Sequence, residues 1–463
     1  MERPMHAWNL RRSTLVLCGA VALGAALLAA HGATAPGEAA TGPGAQGQPE
    51  RTPKPSHTPR RTETPTPTAT ATATATLTPS PSATASPTST RTATATPTAT
   101  SSAPPVPPEY QAQATFVASK LDAFNPEPAG AGSTTRFGAE LYVANSNRGE
   151  ALLNADAYTA IALQLARLQE LGVRGVTVTI HEDVLGRSPR SAEYLALYGR
   201  LAEDVRSRGL TLVVESGASL VADYGALTYD QYRQSRRTTI ERILTTVRPD
   251  YLAIGTEPTT EAALTKYAEL STPAAYRDLL VHLLSGLQRG ATLVGAGAGT
   301  WEDRAYIEDH YVQLDLDFIG LHVYPVGQDF LQRIAAFADV ARRYGKRTVI
   351  GEAWLYKVTD AELLLQLPPG QLYARDVFSF WQPVDQKFLR KVVDAARAQQ
   401  VDYASAFWTQ YFFAYLEYNS QTAVLTPAQL NALVGRLALS AMLQGTFTPT
   451  GRYYQELIAA PVQ

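Results

Sequence analysis

The chain has 463 residues, 45% hydrophobic and 18% charged, with a formal net charge of −2. The 108 N-terminal residues hold eight Lys/Arg against four Asp/Glu, leaving 32 against 38 in the remaining 355. A mildly acidic domain without excess cations to displace phosphate counterions is a poor nucleic-acid binder, and one cysteine, Cys18, excludes disulfides, thiolate chemistry and cysteine-held metals from that domain.

Residues 1–35 read as an export segment. Arg11 and Arg12 precede an apolar and small-residue stretch from Leu15 to Ala30, at the upper edge for a signal peptide and the lower edge for a membrane anchor. The short run favours a cleaved signal over a retained anchor. Residues 36–108 read as a disordered linker: Thr, Pro, Ala and Ser dominate from Thr62, with strict Thr-Ala alternation around Thr68–Thr76. Such a segment buries too little to offset the entropy of ordering. Both place residues 109–463 outside the cytoplasm, extracellular or on the cell surface.

From Glu109 onward short apolar runs alternate with amphipathic stretches. Strands are expected at Phe137–Val143, Val173–Ile180, Leu210–Glu215, Tyr251–Gly255, Thr292–Gly295, Phe318–His322, Thr348–Gly351 and Tyr403–Phe407. Helical periodicity marks Tyr158–Leu171, Ala192–Gly209, Phe330–Tyr344, Val384–Gln400 and, as the last helix, Leu425–Gly445. Gly172, Gly209, Gly290 and Gly345 stand where helices must end before the next strand. Eight strands with intervening helices are the count for an α/β protein of the (β/α)8 TIM-barrel class. A doubly wound open sheet is the alternative, but no glycine-rich dinucleotide fingerprint follows the first strand.

A barrel of this kind carries its functional residues at the C-terminal strand ends. Those ends read His181-Glu182-Asp183, Glu215, Thr256-Glu257-Pro258, Trp301-Glu302-Asp303, His322-Val323-Tyr324, Glu352-Ala353-Trp354 and Trp408-Thr409-Gln410-Tyr411. Carboxylates and aromatics on one rim suit sugars, which stack on rings and hydrogen-bond to acids. Glycosidic cleavage needs two carboxyl groups flanking the bond. Glu257 and Glu352, on strands that face one another across the mouth, are the best pair.

The run Tyr251-Leu252-Ala253-Ile254-Gly255-Thr256-Glu257-Pro258 resembles the fourth-strand acid/base motif of the retaining (β/α)8 glycoside hydrolase clan. That clan includes cellulase-, mannanase- and endo-galactanase-like enzymes. Val349-Ile350-Gly351-Glu352-Ala353-Trp354 resembles its seventh-strand nucleophile motif. The resemblance implies Glu257 as acid/base, Glu352 as nucleophile, Tyr324 as donor to the nucleophile, His322 as a companion and Trp408 as the floor of the sugar site. Thr256 stands where most of the clan has Asn, and Arg187 is a weak counterpart of an arginine usual near an early strand. Trp301, Trp354, Glu215 and His181 are further expected substrate contacts.

Each residue also has a plainer reading. Glu257 would start a helix at Pro258, Glu352 would be a buried ion-pair partner, and the tryptophans would pack. Metal hydrolysis lacks histidines: His282 and His310 fall on helical stretches, leaving His181 and His322. His181, Asp183 and Glu215 would hold at most an adventitious cation. No apolar strand run contains the lysine of a Schiff-base aldolase. Gly295, Gly297 and Gly299 read as a tight turn. No cofactor and no metal is expected; the expected partner is a β-linked glycan, the expected state a monomer. The competing function is a carbohydrate-binding or adhesion barrel without catalysis.

Overall fold

The computed structural model describes residues 103–126, 132–365 and 369–460; the expected export segment and all but the end of the expected linker lie outside them. Eight parallel strands close into a barrel in sequence order: β1 (Arg136–Glu140), β2 (Gly175–Thr179), β3 (Thr211–Glu215), β4 (Tyr251–Ala253), β5 (Leu293–Gly299), β6 (Phe318–Val323), β7 (Arg347–Ala353) and β8 (Tyr403–Ala406). The last pairs with β1, with Arg136 opposite Tyr403. The (β/α)8 expectation therefore holds. The principal helices are α1 (Gln111–Asp122), α2 (Ala157–Glu170), α3 (Ser191–Ser207), α4 (Tyr229–Arg242), α5 (Pro258–Thr265), α6 (Pro273–Leu284), α7 (Gln332–Arg343), α8 (Gln382–Ala398), α9 (Pro427–Gln444) and α10 (Pro449–Ala459).

Three local expectations are corrected. Gly295, Gly297 and Gly299 lie within β5 instead of forming a turn. They are small because neighbours press on the strand: side chains there would meet the Phe318 ring, the Gly320 backbone and the Trp301 ring. The first strand stops at Glu140, and Tyr142–Ala144 is a 3-10 turn. The last helix is α10, capped by the Thr448 hydroxyl accepting from Gly451 N–H. Its Tyr454 hydroxyl donates to the Gly138 carbonyl at 2.7 Å, tying the chain end to β1. Between β5 and β6 the chain makes only two short turns, Tyr306–His310 and Tyr311–Gln313. Three of the four helix-ending glycines behave as read, with φ of +82° at Gly172, +69° at Gly209 and +68° at Gly345, a conformation that costs other residues a steric clash; Gly290 does not, since α6 already ends at Leu284 and Gly290 lies in the loop beyond it.

The barrel interior is a packed core. Val213, Tyr251, Ala253, Phe318, Val349 and Tyr403 form a separate buried cluster inside it, the inward-facing side-chain filling such barrels require. Tyr403 plugs the space over β1 and β2, and its ring occupies the positions where side chains at Gly138 and Gly175 would stand. Beneath it Tyr251 hydroxyl donates to Asp402 Oδ2 at 3.2 Å, and Arg347 pairs with the same carboxylate at 2.8 Å. This closes one end and leaves the C-terminal end open for chemistry.

Gly138→Ala drives a methyl into the Tyr403 ring. It is expected to cost about 1–3 kcal/mol, the usual range for overpacking a filled core, read as a lower urea midpoint with unchanged slope.

Candidate active site

The C-terminal ends of the strands surround a cavity of about 270 Å³. Glu140, His181, Glu215, Thr256, Glu257, His322, Tyr324, Glu352 and Trp408 all line it. His322 is its centre. The Nδ1 of this ring lies 2.7 Å from Glu257 Oε1 and 3.4 Å from Glu352 Oε2, and the Nε2 lies 3.1 Å from Glu215 Oε1. Because Glu257 and Glu352 meet on one nitrogen, their two oxygens are no farther apart than those two contacts laid end to end.

Local backbone explains the convergence. Leu321 pairs with Ile350, but His322 pairs with Glu352, so Gly351 is an extra residue bulged from β7. A bulge re-aims the side chains that follow it, here turning Glu352 toward the mouth beside His322. Only glycine fits at 351, because any side chain there would occupy the position of the Glu215 carboxyl. Glu257 sits at the N-cap of α5 with Pro258 at the first helical position, yet its side chain caps no backbone N–H. It accepts instead from the Thr260 hydroxyl and faces His322. The helix-start reading is thus right for the backbone and wrong for the side chain.

Below β3 and β4 a buried cation holds the strand ends that present Glu215 and Glu257. Arg236 of α4 donates through Nη2 to the Ser216 carbonyl at 3.0 Å and the Ile254 carbonyl at 2.5 Å. It pairs with Glu261, which also accepts from Tyr232 at 2.6 Å and Tyr276 at 2.8 Å. Glu302 makes a second tie, accepting from Thr259 N–H and Gly299 N–H at 2.7 Å each. It joins the end of β5 to the start of α5. Neither clamp announces itself in the sequence, since Arg236 lies in a strongly charged helical stretch and Glu302 reads as one more rim acid.

The electrostatics follow from three carboxyl groups around one ring. Burial opposes a charge on His322, but Glu352 and Glu215, with hydrogen bonds to Glu215 and Glu257, raise its pKa well above the usual value. The acids around it therefore favour the imidazolium form. Burial pushes Glu352 well above the carboxylate range; His322 pulls it down, Glu215 and Glu257 push it further up, and the Tyr324 hydroxyl, donating at 2.6 Å, pulls it down. One cation beside three acids leaves negative charge uncompensated, which is why Glu352 holds its proton more tightly than a free carboxyl group. Glu215, His322 and Glu352 present ligand atoms within 4.8 Å of one another, whereas the set His181, Asp183 and Glu215 is not brought together as one group. The proton on His322 competes with any metal for the same atoms.

Glu140 was not singled out in the sequence. It ends β1, is buried and lines the cavity. Its Oε2 accepts from the Trp408 backbone N–H at 3.0 Å and its Oε1 from Asn145 Nδ2 at 3.4 Å. Burial raises it to about 8. Trp408 itself adopts a left-handed backbone, φ +51° and ψ +46°, a strained choice for a bulky residue that the Glu140 contact helps hold. Trp408 lines the cavity with Phe407 and Tyr356, and Tyr356 stacks on Tyr324 at 4.6 Å. His181 reaches the cavity as a neutral ring, its pKa lowered to about 3 by burial and by Arg236.

Two of the expected sugar contacts do not line the cavity. Trp354 is wholly buried, stacked on Tyr411 at 5.3 Å with Lys357 over its face. It stands three residues beyond Gly351, just past the end of β7, and does not line the cavity. Trp301 also lies off the cavity wall, folded over Gly299 and packed on Tyr324 at 5.6 Å. Arg187 pairs with Glu182 at 3.0 Å and does not line the cavity.

No protein-family model matches the sequence, and no curated protein does. Among solved structures the chain is similar to an exo-β-1,4-mannosidase from Opitutaceae bacterium strain TAV5, at 15% identity and a TM-score of 0.48. That likeness covers 73% of this chain and 63% of the other, under two thirds of its length. A GH5_18 protein from Bifidobacterium longum subsp. infantis is similar at 14% identity and a TM-score of 0.44, covering 71% of this chain and 80% of that one. An endoglucanase is similar at 13% identity and a TM-score of 0.41, covering 65% and 96%.

The buried acids make stability depend on pH. Glu140 and Glu302 are raised to about 8 and Asp376 to about 7, and Glu352 and His322 are raised as well. Each holds a proton in the folded state that the unfolded chain releases at lower pH. Their contributions are lost as pH rises toward the folded values. His181 runs the other way, but only below its unfolded pKa of about 6.5. The melting temperature of the full chain is therefore expected to fall steadily from pH 6.5 to 8. A flat or rising profile would contradict the buried-proton assignment.

Proposed function

We propose that this chain is an exported, retaining glycoside hydrolase acting on a β-linked glycan. The observation that carries the reading is the meeting of Glu257 and Glu352 on His322 Nδ1 within a cavity lined by Trp408. Retaining hydrolysis asks for about 5–5.5 Å between carboxyl groups, whereas inversion needs about 6.5–9.5 Å to admit a water. A pair bound to one nitrogen belongs with the shorter spacing. It also supports catalysis over a binding-only barrel, for which nothing would require two acids to be forced together.

In this mechanism Glu352 attacks the anomeric carbon while Glu257 protonates the leaving oxygen, then activates water to release the glycosyl-enzyme. Tyr324 and His322 favour the ionised form of Glu352, against burial and its acidic neighbours. A proton resting on Glu352 in the free site leaves before attack by relay: His322 gives its Nδ1 proton to Glu257, which needs it as the acid, and the Glu352 proton replaces it on Nδ1. Trp408, Phe407 and Tyr356 offer ring faces to the sugar, and Thr256 offers a hydroxyl where an amide is commoner. The N-terminal apolar run and the Thr/Pro-rich segment fit a cell-surface or secreted enzyme held on a spacer.

Reducing-sugar release from mannan, galactan, xylan, β-glucan and cellulose tests the reading. Wild type is expected to release ends from at least one polymer, and Glu352→Gln to lose about 10³-fold or more in kcat with its melting transition kept. Substantial turnover by Glu352→Gln would sink the assignment. Glu215→Gln removes a negative charge that raises the Glu352 pKa. The acid limb of kcat/KM is then expected to move to lower pH; an unmoved limb would show that the Glu215 charge does not act on Glu352.

A further inference from the structure

The acids of the cavity are accounted for by the chemistry above; two of its cations are not. Arg148 lies in the segment Ser146–Leu153 between β1 and α2, and Arg436 on α9. Both line the cavity. Because β1 and β8 are paired and α9 packs on α2, the two arginines belong to adjoining units of the barrel. They stand on the same side of the mouth as Trp408 and Glu140.

Cations elsewhere at this end of the barrel have acidic partners: Arg187 with Glu182, Arg236 with Glu261, Lys357 with Asp385. The guanidinium groups of Arg148 and Arg436 form no ion pair and no hydrogen bond among the described residues. Arg436 is exposed and loses little by this. Arg148 is half-buried, and burial lowers its pKa, with only the Tyr142 hydroxyl acting in its favour. A guanidinium drawn out of water without a counter-charge is unfavourable, and its planar fork matches a carboxylate or sulfate. Glu140, the acid on this side, does not oppose an incoming anion at neutral pH, since burial keeps it protonated to about pH 8.

We propose that the cavity selects a β-linked glycan bearing an anionic substituent, a carboxylate or a sulfate, which docks on Arg148 with Arg436 at the outer edge. The sugar that carries it would lie against Trp408. This rests on the glycoside hydrolase reading and narrows its substrate class.

The test is calorimetric binding to the full chain carrying Glu352→Gln, so that no ligand is consumed. The probes are 4-nitrophenyl β-D-glucuronide, 4-nitrophenyl 6-O-sulfo-β-D-glucoside and the neutral 4-nitrophenyl β-D-glucoside. At least one charged probe is expected to bind about tenfold or more tightly than the neutral one, as one charge-assisted contact provides. The tighter of the two distinguishes carboxylate from sulfate. Adding Arg148→Gln is expected to remove most of that advantage, Arg148→Lys to keep part of it, and Arg436→Gln to cost less. Equal affinities, binding of none of the probes, or an advantage that survives Arg148→Gln overturns the proposal. Glu352-dependent release of ends from a neutral polymer would then leave the hydrolase reading standing without it.

Discussion

Everything at the mouth of this barrel depends on one ionic contact, the His322 imidazolium held between Glu215, Glu257 and Glu352. Three acids brought this close would repel one another and each would bear a desolvation cost. A single ring with donors at opposite edges reduces both. It also sets geometry, because a carboxylate must lie near the ring plane to accept from either nitrogen. The spacing of Glu257 and Glu352 therefore follows from where His322 is placed.

That placement is built from the backbone outward. The bulge at Gly351 brings Glu352 level with His322 and leaves room for the Glu215 carboxyl. Arg236 and Glu302 anchor the ends of β3, β4 and β5 from below, so the strands that deliver two of the three acids cannot drift. Inside the barrel Tyr403, Tyr251 and Phe318 fill the space beneath, and Gly138, Gly175 and Gly295 yield to them. The site stands on a packed floor, which is what preorganised electrostatics require.

On the β8–β1 side the logic is different. Glu140 is held largely protonated and accepts from the backbone of Trp408, a residue in left-handed conformation. An acid that keeps its proton orders the aromatic wall without adding charge beside Arg148. The two halves of the cavity thus divide their work: a charged, proton-sharing cluster on the β3–β7 side, and an aromatic face with unpaired guanidinium groups opposite.

Periodicity and strand-end composition were sufficient for the barrel, for its strand count and for the membership of Glu257, Glu352, His322, Tyr324, Glu215, Thr256, His181 and Trp408 in one cavity. The physical reason is that a parallel barrel sends every strand's C-terminal residues to one rim, so position along the chain translates into position in space. What the amino-acid order did not carry was the direction of individual side chains. Trp354 and Trp301 occupy rim positions yet neither lines the cavity, because Trp354 is buried against Tyr411 and Trp301 lies over Gly299 against Tyr324. Gly295, Gly297 and Gly299 read as a turn because glycine-rich runs usually are; only the pressure of Phe318, Gly320 and Trp301 makes them a strand. Glu140, Arg236 and Arg148 were silent in the sequence for the same reason. An acid or an arginine gains meaning from burial and from the charges around it, and those are settled only when distant segments fold together.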